Sequence, residues 1–157
     1  MVDAVHAKDT KIGAQLWHLG RVCHPLHQAG QLPVGPSAIA ANGGKYRYLN
    51  FDPSPTYVIP ESIKDPMVYV AKYKQAAVHA KQAGFDFVEL HAANGYLAHQ
   101  FLESHSNKRT DAFGGSIENR CRFVLEVLKA LIEVYGDAKC IGIKLSPGGG
   151  YNGMTSF

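Results

Sequence analysis

An α/β domain built on parallel strands is the fold class this sequence predicts. Three observations predict it: three short apolar runs, two long helical periodicities between them, and strict alternation of the two kinds of segment along the chain. The runs "KIGAQLWH" (11–18), "FDFVEL" (85–90) and "CIGIKLSP" (140–147) are apolar at successive rather than alternate positions, as in strands covered on both faces. Parallel neighbours require a crossover of a dozen residues or more, and the segments between the runs are helical. Right-handed crossovers would set the strands side by side, with their C-terminal ends on one rim.

Taken in order, a short helical lead-in precedes the first strand, whose apolar run contains one polar residue, Gln15. Residues 19–62 are rich in Gly, Pro, Ser and Asn without a sustained period, so they read as a long loop carrying a small hairpin around "YVIP". A loop of that length inside a compact domain is usually functional. Asp65 followed by Pro66 reads as an N-cap with proline at the first helical position; Tyr69, Tyr73, Ala76, Ala77 and Ala80 recur at helical spacing, and Gly84 ends the helix. After the second strand come "HAANGYLAHQFL" and a polar loop. Ser116 then caps a second helix, with Asn119 where a capping box would have Glu. Its stripe is Val124, Val127, Leu128, Leu131, Ile132 and Tyr135, closed by Gly136. The third strand and a Gly-rich tail follow.

The 157 residues, 46% hydrophobic and 18% charged, suit one domain, 1–157, with a real core. A net charge of +3 without a basic block argues against nucleic acid or an anionic membrane as partner, and favours a small molecule. Cys23, Cys121 and Cys140 form neither a disulfide framework nor a CxxC site. "MVDAVHAKDTK" lacks the apolar core of a signal peptide, and no run approaches the ~20 residues of a membrane span. A cytoplasmic location is the expectation.

The unusual polar residues collect at the predicted rim: Gln15 and His18, then His91, Asn94 and Tyr96, then Lys144. In parallel α/β folds ligands bind at that rim, so the clustering marks a candidate site. His91 alone would more often be a satisfied structural histidine; its spacing to Asn94 and Tyr96 favours function. "CHPLH" (23–27) looks like a metal tract but lacks a fourth ligand at short spacing, so no metal is expected. Arg109, Asp111, Asn119, Arg120 and Arg122 read as structural ties between loop and helix. "GGG" at 148–150 has no following helix and reads as loop.

Three segments, "QLWHLGR" (15–21), "VELHAANGYLAHQFL" (88–102) and "SNKRTDAFGGSIENRCRF" (106–123), resemble successive signature segments of the Old Yellow Enzyme family of flavin-dependent ene-reductases. The resemblance runs nearly end to end. It implies a (β/α)8 barrel holding FMN, reduced by NAD(P)H and acting on an enone, an α,β-unsaturated carbonyl compound. His91 and Asn94 match the pair that binds the substrate carbonyl, Tyr96 the proton donor, Trp17 a residue lining the site, and Gln15 a flavin-ring contact. Lys144 stands where the family usually has Arg beside the flavin, which keeps a cation but not the planar fork.

That chemistry suits these residues. Charge developing on a carbonyl oxygen calls for two preplaced donors, and a phenol stays protonated at neutral pH until a carbanion needs its proton. Gly95 would let the backbone turn so that the three side chains converge. A flavin-free barrel enzyme using Lys144 as a Schiff-base lysine is the competing reading. A third is an inactive fragment that acts only by association. A whole barrel takes ~250 residues, so the chain is expected to hold about barrel units three to five. Open sheet edges then predict self-association, or association with the rest of a barrel, and weak FMN binding by the isolated chain.

Overall fold

The computed structural model describes residues 1–42, 56–148 and 150–154. Its centre is a three-stranded parallel sheet of β1 (Gly13–Leu16), β4 (Phe87–Ala92) and β5 (Ile141–Leu145), in the order β1-β4-β5. Register pairs Gln15 with Glu89, and His91 with Lys144. Two long helices, α2 (Pro66–Gln82) and α4 (Ile117–Tyr135), supply the crossovers and pack on each other. The expected order of strand, helix, strand, helix, strand therefore holds.

The caps explain the helix bounds. Asp65 accepts a hydrogen bond from the Met67 amide at 2.9 Å, and Pro66 at the first helical position gives up a donor that would be unpaired there anyway. Ser116 accepts from the Asn119 amide at 3.3 Å, and α4 closes on Gly136, whose φ of 82° is the left-handed conformation that favours glycine. One helix was not expected. α3 (Leu97–Leu102) occupies "LAHQFL", and it buries Phe101 in a 4.1 Å stack on Phe123 of α4. Phe123 is fully buried, although it lies outside the stripe expected for α4.

Alternation along the strands separates two faces. Leu16, Val88, Leu90 and Ala92 point at the helices and join Val70, Tyr73, Ala77, Val127 and Leu131 in one core. Gln15, Trp17, Glu89, His91 and Lys144 lie on the opposite face. At the N-terminal end of the sheet Asp86 gathers His6 of the lead-in helix α1 (Val2–His6), Lys11 and the Ile12 amide at 2.8 Å each. Those bonds, the Lys11 ammonium first, hold its carboxyl well below the usual carboxylate range.

The long loop departs from expectation. "YVIP" forms no hairpin; instead β2 (Val34–Gly35) pairs in parallel with β3 (Glu61–Ser62), just after that tetrapeptide. A hairpin requires antiparallel strands joined by a short turn, and here some 25 residues separate the pair. Residues 43–55 of the loop, and 149 and 155–157 of the Gly-rich tail, lie outside the described residues. No helix among the described residues is long and apolar enough to cross a membrane.

Candidate active site

β4 runs two residues further than its sequence pattern suggests, so His91 is the last strand residue on the polar face rather than the first residue beyond the strand. The chain then reverses. Asn94 (φ 55°) and Gly95 (φ 78°) are both left-handed, and the Tyr96 amide donates to the Ala93 carbonyl at 3.2 Å. Two left-handed central residues make the mirror-image turn for which Asn-Gly is the preferred pair. Tyr96 ends this turn and caps α3, and the Leu97 amide donates to the His18 carbonyl at the end of β1. Strand end, turn and helix start are thereby fixed to one another.

Three rings meet here. Trp17 stacks on His91 with centroids 6.1 Å apart and planes 21° apart, and Tyr96 stands edge-on to Trp17 at 4.8 Å and to His91 at 5.1 Å. Trp17 is 53% exposed and forms a wall rather than part of the core. The Ala93 amide donates to His91 Nδ1 at 3.3 Å, which assigns the ring proton to Nε2. Burial, and then the Lys144 ammonium, lower the His91 pKa and favour the neutral ring. His91 thus offers one neutral N–H donor. The Asn94 backbone is held by Ser146 Oγ, which accepts from its amide, and by Asn152 Nδ2, which donates to its carbonyl, both at 2.8 Å.

Gln15 lies one layer below the His91 level instead of at the rim, with its Nε2 donating to Glu89 Oε1 at 2.5 Å. That bond leaves the amide oxygen free to accept. Lys144 lies beside His91 in register, and its ammonium acts on the imidazole. Gly142, opposite Glu89, adds no side chain to this layer. An amide acceptor and an ammonium on one sheet face, beside an uncovered indole, suit a flat heterocycle with imide and carbonyl edges. The chemistry of these residues fits a flavin ring.

The structure brings together Trp17, His91, Asn94 and Tyr96, with Gln15 and Lys144 on the same face. His18 differs from expectation: it turns to the helix side, edge-on to Tyr69 at 5.5 Å, and its Nδ1 accepts from the Gly20 amide. Glu89, Gln100, Ser146 and Asn152 were not singled out from sequence. A charge inside the apolar run "FVEL" could have pointed to Glu89; nothing comparable marks Asn152. Gln100, fully buried, ties the turn to the segment that follows β1 by donating to the Leu19 and Gly95 carbonyls. The arginines act as loop ties: Arg109 reaches Asp111 and the Pro36 and Ile63 carbonyls, Arg120 the Leu102 and Gly115 carbonyls, and Arg122 that of Ala112. In "CHPLH", His24 Nδ1 caps a short turn by accepting from the Leu26 amide.

A family model for the NADH:flavin oxidoreductase / NADH oxidase family matches residues 1–157. A probable flavin mononucleotide-dependent alkene reductase of Leishmania infantum is 42% identical over 160 residues, covering 99% of this chain and 44% of that protein. Morphinone reductase in complex with tetrahydroNAD superposes with a TM-score of 0.91 at 46% identity, covering 99% of this chain and 44% of that one. An Old Yellow Enzyme homologue from Zymomonas mobilis gives 0.89 at 36% identity, covering 99% and 43%. The chain spans about two fifths of the length of these relatives, and its sheet and helices are a portion of a (β/α)8 barrel.

Proposed function

The chain belongs to the NADH:flavin oxidoreductase / NADH oxidase family, and from that premise we propose that it carries the substrate-binding half of an FMN-dependent, NAD(P)H-driven reductase of α,β-unsaturated carbonyl compounds. The observation that carries this reading is the neutral His91 Nε2–H at the strand end, beside Tyr96 and the Asn94 turn. Gln15 and Lys144 would hold the flavin ring, Gln15 through its amide oxygen and Lys144 as a cation at the ring's edge. When bound, FMN supplies the hydride that no side chain can donate.

The chain's own residues perform the remaining tasks. His91 Nε2–H and the Asn94 side-chain amide bind the carbonyl oxygen and stabilise the charge that develops there; loss of one such donor typically costs about 3 kcal/mol. Tyr96 Oη gives its proton to the α-carbon. Trp17 closes one wall and excludes water. A neutral His91 serves better than a charged one, because it remains a hydrogen-bond donor without binding anions indiscriminately.

Both outer strands, β1 and β5, have one edge without a strand partner among the described residues, and Ile143 and Leu145 of β5 are 38% and 55% exposed. These features support weak FMN binding by the chain alone, and association with a second copy or with further barrel segments. Size-exclusion chromatography with and without FMN tests the association. The functional test is consumption of 2-cyclohexenone with NADPH and excess FMN. Turnover that falls at least a hundredfold in His91→Ala is expected, and turnover equal to that of free FMN would overturn the reading.

A further inference from the structure

Asn94 is a non-glycine residue in the left-handed region, a conformation that asparagine tolerates better than other side chains but that still needs contacts to hold it in one geometry. Its backbone angles decide where its side chain points, so whatever grips its peptide groups also aims its amide. The segment after β5 supplies both grips: Ser146 Oγ on the N–H and Asn152 Nδ2 on the C=O.

Asn152 is itself held at both ends of its side-chain amide and at its carbonyl. A carbonyl can only accept, so Nδ2 must face Asn94; this turns Oδ1 toward Tyr57, whose hydroxyl donates to it at 3.1 Å. The Asn152 carbonyl accepts from Arg21 Nη2 at 3.0 Å. Arg21 is 2% exposed, and its Nη1 donates to the Ile39 and Ala40 carbonyls at 3.1 and 3.3 Å. A planar guanidinium can span carbonyls from two segments at once, whereas a lysine ammonium is a single point on a flexible stem. Both ends of the long loop, Arg21 near its start and Tyr57 near its close, therefore converge on Asn152.

We infer that Asn152 is a positioning residue for Asn94, and that Arg21 and Tyr57 fix Asn152 so that the long loop sets the geometry of the substrate-binding turn. The inference rests on the proposed role of Asn94, but the contacts do not. Arg21 and Tyr57 act on the site through a side-chain relay that ends at the Asn94 carbonyl.

Backbone amide exchange, followed by 15N NMR on the full 157-residue chain, tests it in Asn152→Ala, Arg21→Lys and Tyr57→Phe. The Asn94 and Gly95 amides should exchange at least tenfold faster in the first two variants and about threefold faster in the third, while the Leu90 amide inside β4 keeps its rate. Unchanged exchange at Asn94 in Asn152→Ala overturns the inference. Equal acceleration at Asn94 and Leu90 also overturns it, since that is general destabilisation. If Arg21→Lys does not fold, Asn152→Ala and Tyr57→Phe still decide. With FMN added, kcat/KM for 2-cyclohexenone should fall about tenfold in Asn152→Ala. Faster exchange without that fall would leave the positioning intact and overturn the substrate-binding role of Asn94.

Discussion

Gln15 and Glu89 face each other across the β1–β4 ladder, the amide nitrogen of one donating to the carboxylate of the other at 2.5 Å. The bond fixes which end of the Gln15 amide is presented to a ligand, a choice that an amide otherwise leaves open. Removing the carboxylate frees the amide to rotate. Glu89→Ala should therefore weaken FMN binding about tenfold, or ~1.4 kcal/mol, as one lost positioning hydrogen bond would. Glu89→Gln, which still accepts, should lose less. Titration by flavin fluorescence quenching measures both, and equal affinities for Glu89→Ala and the parent would show that Gln15 needs no such partner.

Tyr96→Phe keeps the ring that stands edge-on to Trp17 and His91 and removes only the hydroxyl. If the phenol delivers the proton, kcat should fall by ~10²–10⁴, the usual contribution of a positioned acid, with little change in enone KM. A rise in KM at constant kcat would instead assign the hydroxyl to binding.

Burial, with a smaller push from Lys72, lowers the His18 pKa to about 4. The sign follows from linkage. Above pH 6.5 the ring is neutral in both folded and unfolded states, and its burial costs nothing. As pH falls from 6.5 toward 4, the unfolded chain binds a proton that the folded chain refuses, so stability is lost. The loss from this one group is about 2 kcal/mol at pH 5 and about 3 kcal/mol at pH 4. His18→Asn can keep an acceptor for the Gly20 amide and removes the titration. Its urea midpoint should vary less between pH 7 and pH 5 than that of the parent; equal slopes would place the acid sensitivity elsewhere.

Much of this was legible in the sequence because it depends on local pattern. Asp65-Pro66 and Ser116 are caps whose chemistry lies within three residues, and the strands stand out as short, mostly apolar runs between helical periods. The expected apolar cover on both faces gives way to one polar face carrying Gln15, Glu89, His91 and Lys144. His91, Asn94 and Tyr96 fall within six residues of one another, so one turn is enough to gather them. What stayed hidden depends on distance. Asn152 lies 58 residues from Asn94, in a Gly-rich stretch without a period, and no local rule links the two. Helix α3 spans six residues, under two turns, and it exists because Phe101 finds Phe123 across the fold rather than because its own propensity suffices. The hairpin expected around "YVIP" gives way to the parallel β2–β3 pair, because strand pairing and direction are set by tertiary contacts when the intervening loop is long.

The Phe101–Phe123 stack links core stability to the site. Both rings are fully buried, 4.1 Å apart and nearly parallel at 16°, and they hold the short helix that begins immediately after Tyr96 against α4. Phe123→Ala leaves a cavity beside Phe101 that neighbouring side chains can fill only in part, at a cost of ~3–5 kcal/mol. Phe123→Leu retains most of the volume and should cost less than half of that. Urea denaturation gives the magnitudes. Because α3 sets the height of the Tyr96 ring, Phe123→Ala should also quench Trp17 fluorescence differently from the parent under native conditions, since Trp17 is in edge contact with that ring. Loss of stability with an unchanged Trp17 spectrum would mean that the Asn94-Gly95 turn alone holds Tyr96 in place.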